Sequence, residues 1–372
     1  MSTLDKMFEA NQLPNSWITE WKKTKKVVGY LCSYIPEEIL YAAKVLPIRV
    51  TARGHSDSTL ADACMSHLNC PFARYLLDMV LSGKLDFLDG IIAYNSCDHV
   101  RRMFDNWRLR HAPPFYHFLS IPHRTDDLAM NWFRGELVSF KKHLESHFKV
   151  TISDQDLLTA IKLHNKTRDL LTTLYDLRKE EAPKVKGSEI AAIMTASMSM
   201  PKDKFNPLLT QLLGELKERD GFSGLPRIMM VGSLVDNPEY IKVIEDLGSI
   251  VVADSHCFGS KYFLHNVKEN QKPLDALTER YLLKSPCPRM LDEATGHEVR
   301  LKLIKDMIKA YFVDGVVFER MSMCDLWSGE IYMLQKELKD LGVPTLSLER
   351  DYILSGVGQM KTRSQAFIEV LR

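Results

Sequence analysis

The residues best suited to chemistry in this chain are its seven cysteines: Cys32, Cys64, Cys70, Cys97, Cys257, Cys287 and Cys324. Their number is odd, they are spread widely, and none forms a Cys-x-x-Cys pair, so neither a secreted disulfide framework nor a locally built zinc site is indicated. Cys70 stands immediately before Pro71, the expected first residue of a helix, where backbone N–H groups and the helix dipole favour a thiolate. Cys97-Asp98 and Cys324-Asp325 occupy matching positions, each after an apolar run that reads as a strand. A soft cation or an iron–sulfur cluster gripped from two sides suits the trio Cys70, Cys97 and Cys324. The alternative for each is an inert, buried, apolar filler. Cys32 and Cys257, each just beyond another apolar run, are open between fourth ligand and wall residue, while Cys64 and Cys287 read as packing.

Other candidates carry weaker signals. The tail Ser355-Gly356-Val357-Gly358-Gln359-Met360-Lys361-Thr362-Arg363 could receive an anion on backbone N–H groups at the start of a helix, or could be an ordinary glycine turn. The chain has no Gly-x-x-x-x-Gly-Lys-[Ser/Thr] stretch, so any use of ATP must come from a partner. Histidines 55, 67, 99, 111, 117 and 123 gather in the first third, and a structural role is expected for each taken singly. Ser33 and Ser96 lack a nucleophile-elbow context, which argues against a hydrolase.

The elements that must position these groups repeat. Val27-Val28-Gly29-Tyr30-Leu31, a helix opened by Pro36-Glu37-Glu38, and Leu46-Pro47-Ile48-Arg49-Val50 form a strand–helix–strand unit. Ile228-Met229-Met230-Val231-Gly232, a helix opened by Asn237-Pro238-Glu239, and Ile250-Val251-Val252 repeat it. Phe87 to Ala93 leads to Cys97-Asp98 just as Phe312 to Phe318 leads to Cys324-Asp325, with amphipathic helices (72–81 and 299–310) before them. The expected fold is therefore α/β, with two related parallel-sheet, flavodoxin- or Rossmann-like halves whose sites lie beyond the carboxyl ends of the strands. The boundaries expected are a helical segment over 1–25, a first half over 26–125, a helical connecting region over 126–219 and a second half over 220–372.

Composition agrees with ordinary globular domains. Apolar residues make up 45% and charged residues 26% of 372, and 49 Lys plus Arg nearly cancel 48 Asp plus Glu. Such a balance offers no overall field for nucleic acid. With no signal-like start and no long apolar run, neither a membrane partner nor nucleic acid is expected, and the chain reads as cytoplasmic.

Five segments in order carry a resemblance: Cys32-Ser33-Tyr34-Ile35-Pro36-Glu37-Glu38, Cys70-Pro71-Phe72-Ala73-Arg74, Ser96-Cys97-Asp98, Cys324-Asp325-Leu326-Trp327-Ser328-Gly329-Glu330 and Gly358-Gln359-Met360-Lys361-Thr362-Arg363. Together they resemble the signature of 2-hydroxyacyl-CoA dehydratase and benzoyl-CoA reductase subunits, from about Val27 to the end. The resemblance implies a [4Fe–4S] cluster at Cys70, Cys97 and Cys324, a paralogous iron–sulfur subunit, an ATP-hydrolysing iron–sulfur activator and an acyl-CoA substrate. It implies oxygen-sensitive, low-potential electron chemistry through a ketyl-type radical, either ring reduction or loss of an unactivated hydroxyl. Ser96 to Arg102 followed by Asp105-Asn106-Trp107-Arg108 is more similar to the ring-reducing branch. The family also contains double-cubane proteins that reduce small molecules, and the same motifs are compatible with them. A non-catalytic α/β binding module is the remaining alternative.

Overall fold

A computed structural model describes residues 2–284, 287–294, 296–354 and 356–372. The chain begins with α1 (Thr3–Glu9) and α2 (Ser16–Lys22), then enters β1 (Lys26–Tyr30), α3 (Glu37–Ala42), β2 (Val45–Arg49), α4 (Thr59–Asp62) and α5 (Pro71–Leu81). β3 (Gly90–Tyr94), α6 (Asp98–Arg110) and β4 (Tyr116–Leu119) complete the first sheet. Four helices follow: α7 (Asp127–Phe148), α8 (Asp154–Asp176), α9 (Gly187–Ser197) and α10 (Lys202–Lys217). The second sheet is built from β5 (Arg227–Gly232), α11 (Pro238–Glu245), β6 (Ile250–Ser255), α12 (Ser260–Phe263), α13 (Pro273–Leu283), α14 (His297–Ala310) and β7 (Gly315–Met321). α15 (Asp325–Asp340), β8 (Thr345–Arg350) and α16 (Val357–Leu371) close the chain.

Both sheets are parallel and share one topology, β2-β1-β3-β4 and β6-β5-β7-β8. Their central strands, β1, β3, β5 and β7, are mainly apolar runs buried over nearly all of their length, as parallel sheets covered by helices on both faces require. In each sheet the order reverses between the first and third strand, β1/β3 and β5/β7, which opens a crevice beyond the strand ends. Edge strands β4 and β8 are partly exposed, β4 is only four residues long and β8 is more polar, so neither stands out in the sequence as the central strands do.

The two sheets are tied together in several ways. Met321 and Tyr352 from the second sheet's end pack into the same core as Val50, Phe72 and Ile91 from the first. α13 joins α7 against the first sheet, with Leu277 and Tyr281 in one core with Phe133, Phe140 and Leu119. Glu37 and Glu38, which open α3 as the sequence suggests, are fully buried. Glu38 pairs with Arg168 of α8 and accepts from Tyr281, while Glu37 accepts from Tyr30 and Tyr262 and faces Lys202 at 3.7 Å. Burial alone would raise both carboxyls, but Arg168 and His164 at Glu38, and Lys202 and His164 at Glu37, hold both below the usual carboxylate range. This network pins the segment that carries Cys32.

Candidate functional site

Cys70, Cys97 and Cys324 are the N-cap residues of α5, α6 and α15, so three helix N-termini aim at one place. Local chemistry explains each start. Pro71 occupies the first turn after Cys70, and Asp98 and Asp325 put acids in the first turns of α6 and α15. None of the sulfurs completes a regular capping hydrogen bond, yet N–H groups of Phe72 and Ala73 at Cys70, His99 and Val100 at Cys97, and Trp327 at Cys324 all favour the thiolate. Burial works against them. It pushes the Cys70 thiol up to about 12, with the neighbouring Cys97 adding to the rise, and it raises Cys97 and Cys324 as well. Thiols in this setting ionise when a cation or cluster takes the charge.

His99 links all three cysteine-bearing segments. Its Nδ1 lies 2.9 Å from Oδ1 of Asn69, the residue before Cys70, and its Nε2 lies 3.0 Å from Oδ2 of Asp325, the residue after Cys324. His99 itself sits two residues beyond Cys97. A side chain from the first half thus bridges to the second across the mouth of the site.

The sulfurs line one cavity of ≈120 Å³ between the two crevices, and the same cavity is lined by Cys32, Cys257 and Cys287. Six of the seven cysteines therefore converge. Cys32 follows β1 and Cys257 follows β6, as the sequence suggests. Cys287, read as packing, does pack against a core but also faces this cavity; it lies in a loop after α13 with no strand end to announce it. Burial, then the nearby Cys257, pushes its thiol up to about 11. Cys64 packs against the first sheet's core, away from the cavity. Apolar walls come from Phe72, Val100, Leu234, Leu326 and Trp327, and polar ones from Ser33, Ser96, Ser233, Arg49 and Lys261. Among the described residues no carboxylate lines it.

The donor set tests well against a multi-iron cluster. Among the described residues no group of three cysteine sulfurs lies within 4.8 Å of one another. Sulfurs on a single zinc would be about 3.8 Å apart, given Zn–S bonds of about 2.3 Å. Wider spacing, soft donors and helix N-termini suit a cluster.

Other candidates fall elsewhere. His117 pairs with His143 through Nδ1 atoms 3.1 Å apart, and His123 contacts the Arg289 carbonyl at 2.6 Å; neither lines the cavity. The tail starts α16 with Gly356 in a left-handed conformation (φ 72°), and Gly356, Val357, Gln359 and Arg363 line a different hollow beside Arg350. Ser355 lies outside the described residues. Sequence reasoning missed Arg49 and Lys261, whose only signal was proximity to strand ends. No helix among the described residues is long and apolar enough to cross a membrane.

Comparison with known proteins bears on what such a site does. The family described as 2-hydroxyglutaryl-CoA dehydratase, D-component, matches residues 32–371. A benzoyl-CoA reductase subunit of Thauera aromatica is 26% identical over 343 residues, covering 89% of this chain and 87% of the relative. The beta subunit of (R)-2-hydroxyglutaryl-CoA dehydratase of Acidaminococcus fermentans is 28% identical over 366 residues, covering 96% of each chain. The putative dehydratase subunit YjiM of Escherichia coli is 26% identical over 361 residues, covering 93% of this chain and 91% of the relative.

Proposed function

Since the chain belongs to the 2-hydroxyglutaryl-CoA dehydratase D-component family, we propose that it is the iron–sulfur subunit of an oxygen-sensitive enzyme acting on an acyl-CoA thioester, with ring reduction of a benzoyl-CoA-type substrate as the reaction. The observation that carries this reading is the convergence of Cys70, Cys97 and Cys324, each at a helix N-terminus, on one cavity joining the two halves. A [4Fe–4S] cluster held there would supply electrons at low potential to the thioester. The chain's own part is to hold three thiolates by helix dipoles, to lock their loops through His99, and to keep water out with Phe72, Leu326 and Trp327. All three relatives described above are named as subunits. A paralogous iron–sulfur subunit and an ATP-hydrolysing activator are the partners proposed for this chain, which has no Gly-x-x-x-x-Gly-Lys-[Ser/Thr] loop of its own.

The test is anaerobic purification with iron and sulfide analysis. An assay with strong reductant, ATP and activator follows, offering benzoyl-CoA and several 2-hydroxyacyl-CoA esters side by side. Ring reduction is expected, water loss would move the chain to the dehydratase branch, and an iron-free protein would refute the proposal.

A second reading is favoured by the other half of the cavity. Cys32, Cys257 and Cys287 form a second trio facing the first, and six thiols suit two joined cubanes as readily as one cluster with spare cysteines. Buried cations accompany the second trio: Lys261 acts on Cys257 and Cys287, and Lys284 on Cys32 and Cys257. About eight irons per chain, with reduction of acetylene or azide and no acyl-CoA turnover, would select this double-cubane reading over the first.

A further inference from the structure

Lys261 is a buried lysine whose Nζ has no polar partner among the described residues. It belongs to the single-turn α12, is 2% exposed, and lines the thiol cavity. Among the described residues its Nζ makes no hydrogen bond and no ion pair; it stands 4.4 Å from the centroid of the Trp327 ring. The carboxylate that acts on it, Glu330, has both of its oxygens engaged by Arg300, at 2.6 and 2.8 Å. Arg49 on the same wall is also incompletely used, since its Nε is buried without an acceptor. The cavity wall thus carries two basic side chains with unused donors and, among the described residues, no carboxylate. A buried charge left this way is costly unless an anion or a strongly polarised oxygen arrives to face it.

On the acyl-CoA reading, on which this inference rests, Cys32, Cys257 and Cys287 hold no cluster of their own, and burial pushes the Cys287 thiol up to about 11. We propose that Lys261 receives the thioester carbonyl oxygen of the acyl-CoA and orients that end of the substrate in the cavity, with Trp327 fixing the ammonium from behind. A preorganised cation in an apolar site strengthens as negative charge develops on that oxygen, so the same contact favours electron uptake at the carbonyl. The electron itself comes from the low-potential iron–sulfur donor and activator named above.

The test pairs the lysine with the carbonyl. Wild type, Lys261→Met and Lys261→Arg are purified anaerobically, their iron is measured, and binding of benzoyl-CoA and of its thioether analogue S-benzyl-CoA is compared by equilibrium dialysis without turnover. The wild type should prefer the thioester by about tenfold or more, as a charge-assisted hydrogen bond predicts. That preference should collapse towards unity in Lys261→Met with iron content unchanged, and survive in Lys261→Arg. An unchanged preference in Lys261→Met overturns the proposal, and so does loss of iron in that variant, which would make the lysine a counter-charge for the thiols. A wild type that binds neither ligand refutes the acyl-CoA reading itself, an outcome recognisable because it does not depend on the lysine.

Discussion

Replacing His99 with alanine should loosen the proposed cluster without unfolding the protein. The side chain spans the three cysteine-bearing segments through Asn69 and Asp325. Its contact with Asn69 at 2.9 Å is partly buried and is worth about 1 kcal/mol as a neutral hydrogen bond. The Asp325 carboxylate is 68% exposed and its 3.0 Å contact lacks good hydrogen-bond alignment, so solvent screening leaves it roughly 0.5 kcal/mol. The sum, about 1.5 kcal/mol, corresponds to about tenfold in an equilibrium constant. That lies at the low end of the roughly 10–100-fold seen when groups behind metal ligands are removed. The assay is anaerobic iron release to a coloured chelator, with the melting temperature of the apo protein as control. His99→Ala should release iron about tenfold faster and melt within a few degrees of wild type. Iron release at the wild-type rate would refute the bridging argument. A matching loss in an Asp98→Asn control, whose side chain contacts Arg101 and not the other cysteine segments, would refute its specificity.

Single Cys70→Ser, Cys97→Ser and Cys324→Ser variants should each lose most bound iron, measured with sulfide under anaerobic conditions; unchanged iron in all three would remove the cluster from this site. Cys287→Ala should leave iron near about four per chain if one cluster is bound, whereas a fall from about eight would establish the second trio as ligands. Arg168→Met strands the buried Glu38 carboxylate and should cost about 3–5 kcal/mol in denaturation, while the double variant Glu38→Met/Arg168→Met should cost much less. The same pair makes the fold acid-sensitive. Glu37 and Glu38 have folded-state pKa values below their unfolded ones, so their stabilisation is present above roughly pH 4.3 and is lost as pH falls below it towards the folded values. Acid titration of melting temperature should show this loss, and Arg168→Met should flatten it.

Much of this protein can be read from local sequence because its decisive features are local. Apolar runs such as Val27-Val28 and Val316-Val317 mark buried parallel strands, and Pro71 marks a helix start, so Cys70 can be placed at a cap and Cys97 and Cys324 at strand ends without coordinates; that the latter two also cap helices is decided by the fold. The repeat of strand, helix and strand likewise announces two α/β halves, and five ordered segments announce the family. The edge strands β4 and β8 escape such reading because β4 is only four residues long and β8 is interrupted by Thr345, Ser347, Glu349 and Arg350. The acids of Pro36-Glu37-Glu38 look like favourable first-turn charges. Only the fold shows them buried against Arg168, Lys202 and Tyr281, residues 130 or more positions away. The convergence of six thiols is decided in the same way: strand ends are set by their own residues, but which strand ends share a cavity depends on how the two sheets dock. That docking rests on Met321 and Tyr352 packing into the first sheet's core and on α13 covering its face. It brings Cys287 from an unmarked loop, sets His99 between Asn69 and Asp325, and leaves Lys261 facing a cavity with no carboxylate among the described residues. These are contacts between distant segments, and a chain's local propensities carry no information about them until the cores have packed.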